Sequence, residues 1–461
     1  MTTISSSFPR RGPRAIGFLA AASFVVIGSY LVSGIRPTEP AAPPAATGAP
    51  DAGPVDAAPL DGGGAPVGSL AQIDHSIGAW SKNLADNPRD FLASTNLAAL
   101  YQGRARLSYD LGDYERALRA ARSALSIEPS HAPARALEAA ILYSLHDFVG
   151  AFTAADALVR DDPSQIAAVA TRFDASIELG RIDAARVDLR LLREAGGPAV
   201  LIREARLASV TGDATAAVER ARAARAAALD EDVEDIGFYA YAVGEYARLA
   251  GDPDAARSGF AEALELRGDD LAALVGLARI DAFEGRTDAA IDGLRRATAI
   301  APQPESLALL GDLLTKRSSA SGDASEASDA YETVRFIERL GDVQATTYDR
   351  QLLRFELDHD GVSNDVLARA RTSSSERPDW SGYDTVAWAL YRLGRFDEAA
   401  VSIASARALG ADDARLRYHD GAIQLALADA ASGNAMVRSA LELGPALDPL
   451  ERAEATRLIG G

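Results

Sequence analysis

"LGDYERALRAARSALSIEPS", Leu111 to Ser130, sets an acidic glycine turn ahead of alanines at every third or fourth position, then closes on a proline. Small residues at that spacing line one face of a helix. A proline just beyond that face stops the helix, because it has no backbone N–H to continue it. The same design returns along the chain. Ala117, Ala151 and Ala185 stand 34 residues apart; Ala217, Ala256, Ala290 and Ala327 follow at intervals of 32 to 39, and Ala399 and Gly433 are again 34 apart. The turn before each recurs as "GDYERA", "HDFVGA", "GRIDAA", "GDPDAA" and "GRFDEA". Pro129 and Pro163 are also 34 apart, and Pro302 closes a further unit in the same way. A period of that length marks an array of supersecondary units, each leaving an apolar face for its neighbour to cover.

Composition agrees. Of 461 residues 48% are hydrophobic but only 6% aromatic, with alanine dominating the apolar share. That mix suits closely packed helices and argues against a β-rich fold, which draws on branched and aromatic side chains. There is no cysteine, which removes disulfides, thiolate metal sites and cysteine nucleophiles. Net charge is −19, and the four arginines of the first 36 residues leave −23 on the rest. An acidic body repels phosphate backbones and sets nucleic acid aside as a partner.

The repeat resembles the tetratricopeptide family, whose units are helix–turn–helix pairs. Gly112, Gly180, Gly212, Gly251, Gly285 and Gly394 fall between helices, where a left-handed turn favours glycine. Ala117 and its equivalents let the second helix approach the first, and Phe260 and Tyr331 fill the space between units. Tyr101, Leu274 or Tyr383 replaces the family's first-helix tryptophan, and residues 345–378 fit the repeat poorly. The resemblance implies an all-α, right-handed superhelical solenoid of about ten units over residues 70–445, with a capping helix in 446–461.

Ahead of the array, residues 15–35 are 21 uncharged residues, long enough to cross a bilayer as one helix. Three arginines precede them, so the positive-inside rule expects residues 1–14 in the cytoplasm and the body exported from a single-pass anchor. The alternative is secretion after cleavage near Gly34, where "VSG" offers small residues. Residues 36–69 are rich in Pro, Ala and Gly and read as a disordered tether.

Catalytic signatures are few. His146–Asp147, His359–Asp360 and His419–Asp420 are three His–Asp pairs, but the first two fall in or beside turns. Units so far apart in a solenoid are not expected to converge on one ion. No glycine-rich phosphate loop or nucleophile elbow is present. The reading is therefore a non-enzyme without cofactor or metal, binding a peptide or protein on its concave face. Self-association stays open. An accessory factor for export or complex assembly is the alternative, and a metal-dependent hydrolase a remoter one.

In the resembled family, first helices line the concave face. By that correspondence the partner-binding candidates begin with Arg106, Tyr109, Tyr143 and Arg206. Tyr241, Arg248 and Arg279 continue the face, and Asp384, Trp388, Tyr391, Arg392 and Tyr418 complete it toward the carboxyl end. Exposed aromatics and arginines are the usual anchors of an interface, and Trp388, Tyr391 and Arg392 form the leading group.

Overall fold

The computed structural model describes residues 70–229, 231, 233–317, 322–340 and 342–460. The expected cytoplasmic segment, membrane span and tether, residues 1–69, lie outside the described residues. Among the described residues no helix is long and apolar enough to cross a membrane.

Twenty-two α-helices carry the described chain, and no strand is formed among its residues. Helix α1 (Leu70–Asp86) leads into ten pairs. They begin with α2 (Phe91–Ser108) and α3 (Leu111–Ile127), α4 (Ala132–Ser144) and α5 (Phe148–Asp161), then α6 (Ile166–Glu178) and α7 (Ile182–Arg193). Next come α8 (Pro198–Val210) and α9 (Ala214–Ala227), α10 (Val233–Leu249) and α11 (Pro253–Leu266), then α12 (Leu271–Phe283) and α13 (Thr287–Ile300). The later pairs are α14 (Pro304–Arg317) and α15 (Asp323–Glu338), and α16 (Asp342–Phe355) and α17 (Asn364–Glu376). Last are α18 (Trp380–Arg392) and α19 (Phe396–Ala408), and α20 (Ala414–Ala426) and α21 (Ala430–Glu442), followed by α22 (Pro449–Ile459).

The recurring Gly-Asp has two jobs. Gly180, Gly212, Gly251, Gly285 and Gly394 all take left-handed backbone angles between the helices of a pair. Asp213 and Asp252 then cap α9 and α11, their carboxylates accepting the backbone N–H of Ala216 and Ala255. Ala117, Ala151, Ala185, Ala256 and Ala290 are wholly buried, so the interfaces of these pairs are built on methyl groups. The stretch 345–378 keeps the paired plan, but α16 runs on into a π-turn at Glu356–Asp360 before Gly361 reverses the chain.

The first unit departs from its sequence reading. Gly112 lies inside α3, which starts one turn earlier than its counterparts. Tyr109 takes the left-handed position instead, with φ 60°, at a cost of roughly 1–2 kcal/mol for a side chain with a Cβ. His146 and Ala428 do the same at φ 62° and 65°.

The array coils until its turns touch. A Cβ on Gly180 would stand 2.4 Å from the carbonyl of Pro378, and one on Gly212 would stand 2.9 Å from that of Gly410. The intra-unit turns of early repeats thus pack on the backbone between later repeats about 200 residues on. First helices, expected to line an open concave face, meet one another across a narrow interior.

Candidate functional site

That closure decides where the expected partner-binding residues lie. Tyr143, Tyr241 and Tyr418 are 1% exposed and Trp388 is 3% exposed, so their side chains pack between helices. Burial pushes the phenols of Tyr143 and Tyr241 well up from their ordinary range. Tyr109 does bind a segment, but of its own chain: its hydroxyl accepts from Arg267 at 2.6 Å and from the Leu271 N–H at 3.3 Å, joining α2 to the start of α12. Arg248 is held by Glu245 at 2.7 Å and Arg279 by Asp448 at 2.9 Å. Arg106 and Tyr391 are half-buried, and Arg392 lies 3.7 Å from Glu454 with its guanidinium 6.0 Å from the Trp388 ring centre. The leading triad is therefore a packed stack: Trp388 lies parallel to Tyr391 at 4.8 Å and to His419 at 3.9 Å.

What remains of the concave face is a central cavity of about 170 Å³, room for several waters or one side chain. Helices α6, α8, α14, α16, α18 and α20 supply most of its walls, with Ile182 of α7 and turn residues such as His146, Arg377 and Asp379 completing them. Three of the expected residues, Arg206, Asp384 and Trp388, line it. His146 and His419, from units expected to stay apart, line it together. Among the described residues, however, no group of three or more His, Asp or Glu side chains could hold a metal ion. His419 Nδ1 bonds to Asp384 at 2.8 Å, whereas its sequence neighbour Asp420 accepts from Arg407 at 2.9 Å. His359 meets Asp312 at 2.7 Å, and Asp360 pairs with Arg335.

The cavity's strongest feature was not singled out from sequence. Glu178, at the end of α6, takes Arg206 on one oxygen and Arg377 Nη2 on the other at 2.7 Å. Burial alone would raise its carboxyl, but Arg206, Arg377 and Arg350 more than reverse this and hold it below the usual range. Arg350 clasps Asp379 through both oxygens at 2.6 Å and donates to the Arg377 carbonyl at 2.7 Å. After these bonds the Nε–H groups of Arg206, Arg350 and Arg377 are buried without an acceptor among the described residues, and the side-chain oxygen of Gln351 is buried without a donor. Such orphaned donors are costly unless something accepts from them. Trp380 and Trp388 add flat apolar walls. The arrangement can hold an acceptor-rich segment. Arg350, Arg377 and Asp379 come from the stretch 345–378 and its border, where the repeat fits poorly. That misfit was the available signal.

Comparison with known proteins fits this architecture. Residues 98–131 and 247–313 each match a model of the tetratricopeptide repeat. No curated protein matches in sequence. Among solved structures, a tetratricopeptide repeat protein from Parabacteroides merdae is 18% identical, covering 57% of this chain and 98% of that one, with a TM-score of 0.31. The APC/C hetero-tetramer Cut9–Hcn1 is 13% identical, covering 84% of this chain and 93% of that one, at 0.32. Yeast Tom70 is 12% identical, covering 79% and 95%, also at 0.32. The two repeat models, which match about a fifth of the chain, carry the likeness to tetratricopeptide repeats, and these distant structures add no argument to it.

Proposed function

We infer that this tetratricopeptide-repeat protein is a non-catalytic interaction scaffold, held at a membrane by residues 15–35 and spaced from it by residues 36–69, that grips a partner by a narrow segment entering the central cavity. One observation carries the reading: five arginines, Arg206, Arg350, Arg354, Arg377 and Arg415, line one cavity together with Trp380 and Trp388. Extended backbone and carboxylate side chains offer the acceptors that suit a guanidinium-lined wall. A broad convex-face interface would leave that lining unexplained.

The test is photo-crosslinking in cells. A photoreactive amino acid replaces Trp380 at the half-buried cavity wall, and a second chain carries it at Val401, which is 71% exposed on α19. A discrete adduct from position 380 alone supports the cavity as the grip. Adducts from 401 alone would move the interface to the outer surface. Fractionation of the same cells reads the anchor: recovery with membranes supports it, whereas a soluble chain starting near residue 35 would replace it with a cleaved leader.

A further inference from the structure

The cavity has a neighbour whose occupant is already in place. Four arginines, each from the first helix of a different unit, turn inward on one side of it: Arg248 on α10, Arg279 on α12, Arg354 on α16 and Arg415 on α20. All four hold residues 445–451 of the same chain. Arg248 donates to the Pro445 carbonyl at 2.9 Å, and Arg279 donates to Asp448 at 2.9 Å. Arg354 bridges Asp448 at 3.2 Å and Glu451 at 2.8 Å, and Arg415 reaches Glu451 at 2.6 Å. The two carboxylates stand three residues apart at the start of α22, where Glu451 also accepts from the Asp448 N–H at 3.1 Å. A helix start presents both on one face.

The way α22 is seated differs from every paired helix. Only Glu451 and Ala455 are fully buried in it, so charge adds to a short apolar edge, Ala455, Leu458 and Ile459, in holding it down. Space flanks it on two sides: about 50 Å³ beside Leu450 and Glu451, and about 310 Å³ beside Leu447 and Asp448. Its carboxylates also load their surroundings. Asp358 and Asp413 are pushed upward by burial, and Glu451 adds to that push. Arg354 and Arg415 serve both places, since they line the central cavity and bind Glu451. A segment leaving one side therefore frees donors toward the other.

We propose that the four inward arginines form a receptor for an acidic Asp-x-x-Glu segment at a helix start, that Asp448 and Glu451 occupy it in cis, and that a partner bearing the same chemistry displaces them. The proposal rests on the interior being the binding site and adds the partner's chemistry and its built-in competitor. A buried guanidinium resists being left without its carboxylate. The exchange is therefore one acidic segment for another, and a neutral or basic segment cannot drive it.

The test uses the full chain and a fluorescent peptide of residues 443–460. A tethered competitor acts at an effective concentration near millimolar, so native protein should bind the peptide weakly and the full-length D448N/E451Q variant at least about tenfold more tightly. Adding Arg279→Gln and Arg415→Gln to that variant should abolish the gain, and the peptide carrying D448N/E451Q should not bind. Hydrogen exchange follows α22 and the paired helices in the same samples. The proposal is overturned if the D448N/E451Q chain stays folded without the gain. It is equally overturned if the paired helices lose protection together with α22, because the segment is then an inseparable part of the array. A crosslink from position 380 that persists after such a failure would leave the cavity reading standing, whereas peptide exchange without that crosslink would leave only the receptor.

Discussion

Replacing Glu178 tests whether the coil's interior is held by charge. Its side chain is 12% exposed, and its partners Arg206 and Arg377 are 6% and 17% exposed. Arg377 lies 199 residues away in sequence, so the pair clamps successive turns of the superhelix. Removing one member of a buried ion pair costs about 3–5 kcal/mol, chiefly from the charge left behind. Slight exposure of all three side chains lowers that, and glutamine keeps an oxygen that can accept from one arginine. Glu178→Gln should therefore cost about 2 kcal/mol and Glu178→Ala about 3–4 kcal/mol. The sign with pH follows from the direction of the shift. The folded carboxyl lies below its unfolded value, so its contribution is complete above the ordinary glutamate range and disappears as pH falls through the lowered folded value. Native and Glu178→Gln chains should then converge in stability on acidification. Urea is the denaturant of choice because guanidinium screens the pair. A solenoid need not unfold in one step, so hydrogen exchange at residues 177–181 and 377–380 accompanies the global curve. A Gln variant within about 0.5 kcal/mol of native at neutral pH, the ordinary range for surface changes, would refute the argument. So would a deficit that persists undiminished below the folded carboxyl's titration.

Two further substitutions probe the array itself. Gly259→Ala should lower the melting temperature although alanine is the better helix former by about 1 kcal/mol. The new Cβ would sit 2.4 Å from the Gly244 nitrogen and 2.8 Å from the Ala240 carbonyl, and overpacking against backbone costs about 1–3 kcal/mol or more. Gly78→Ala, with nothing within 4 Å of its Cβ, is the control and should gain stability; equal effects at the two sites would contradict the packing account. Tyr109→Phe removes the hydroxyl that joins α2 to α12 and should cost about 1–2 kcal/mol, read as faster exchange of the Leu271 amide with helices α5 to α7 unaffected. Unaltered exchange at Leu271 would show that the contact does not hold the turns together.

The paired helices were legible because their causes are local. Alanine at Ala117, Ala151 and Ala185 marks the close approach inside a pair, and glycine before it marks the turn. The exception at Gly112 shows the limit of that logic. The motif is intact, yet α3 begins a turn earlier and Tyr109 takes the strained position, because its hydroxyl meets Arg267 and Leu271 from a unit some 160 residues on. No local pattern encodes a contact of that range. The same holds for the inner face. Arg206, Arg248, Arg279 and Asp384 were correctly placed on first helices, but whether such a face is open depends on how tightly the array coils. Coiling is set by contacts such as Gly180 on Pro378, invisible within any one period.

Coiling also changes what an inner-face arginine means. On an open groove it is an anchor waiting for a carboxylate, but here nearly every one already has a carboxylate from its own chain. Arg206 and Arg377 share Glu178, Arg279 holds Glu305 and Asp448, and Arg354 and Arg415 share Glu451. Such pairs contribute little net stability over apolar packing of the same volume, since desolvation offsets most of the attraction. What they confer is exchangeability. An apolar interior releases a segment only by exposing its face to water, whereas a guanidinium can pass from one carboxylate to another without being left bare. On that ground an arginine-lined interior with self-supplied acids can admit an acidic partner while remaining closed to others.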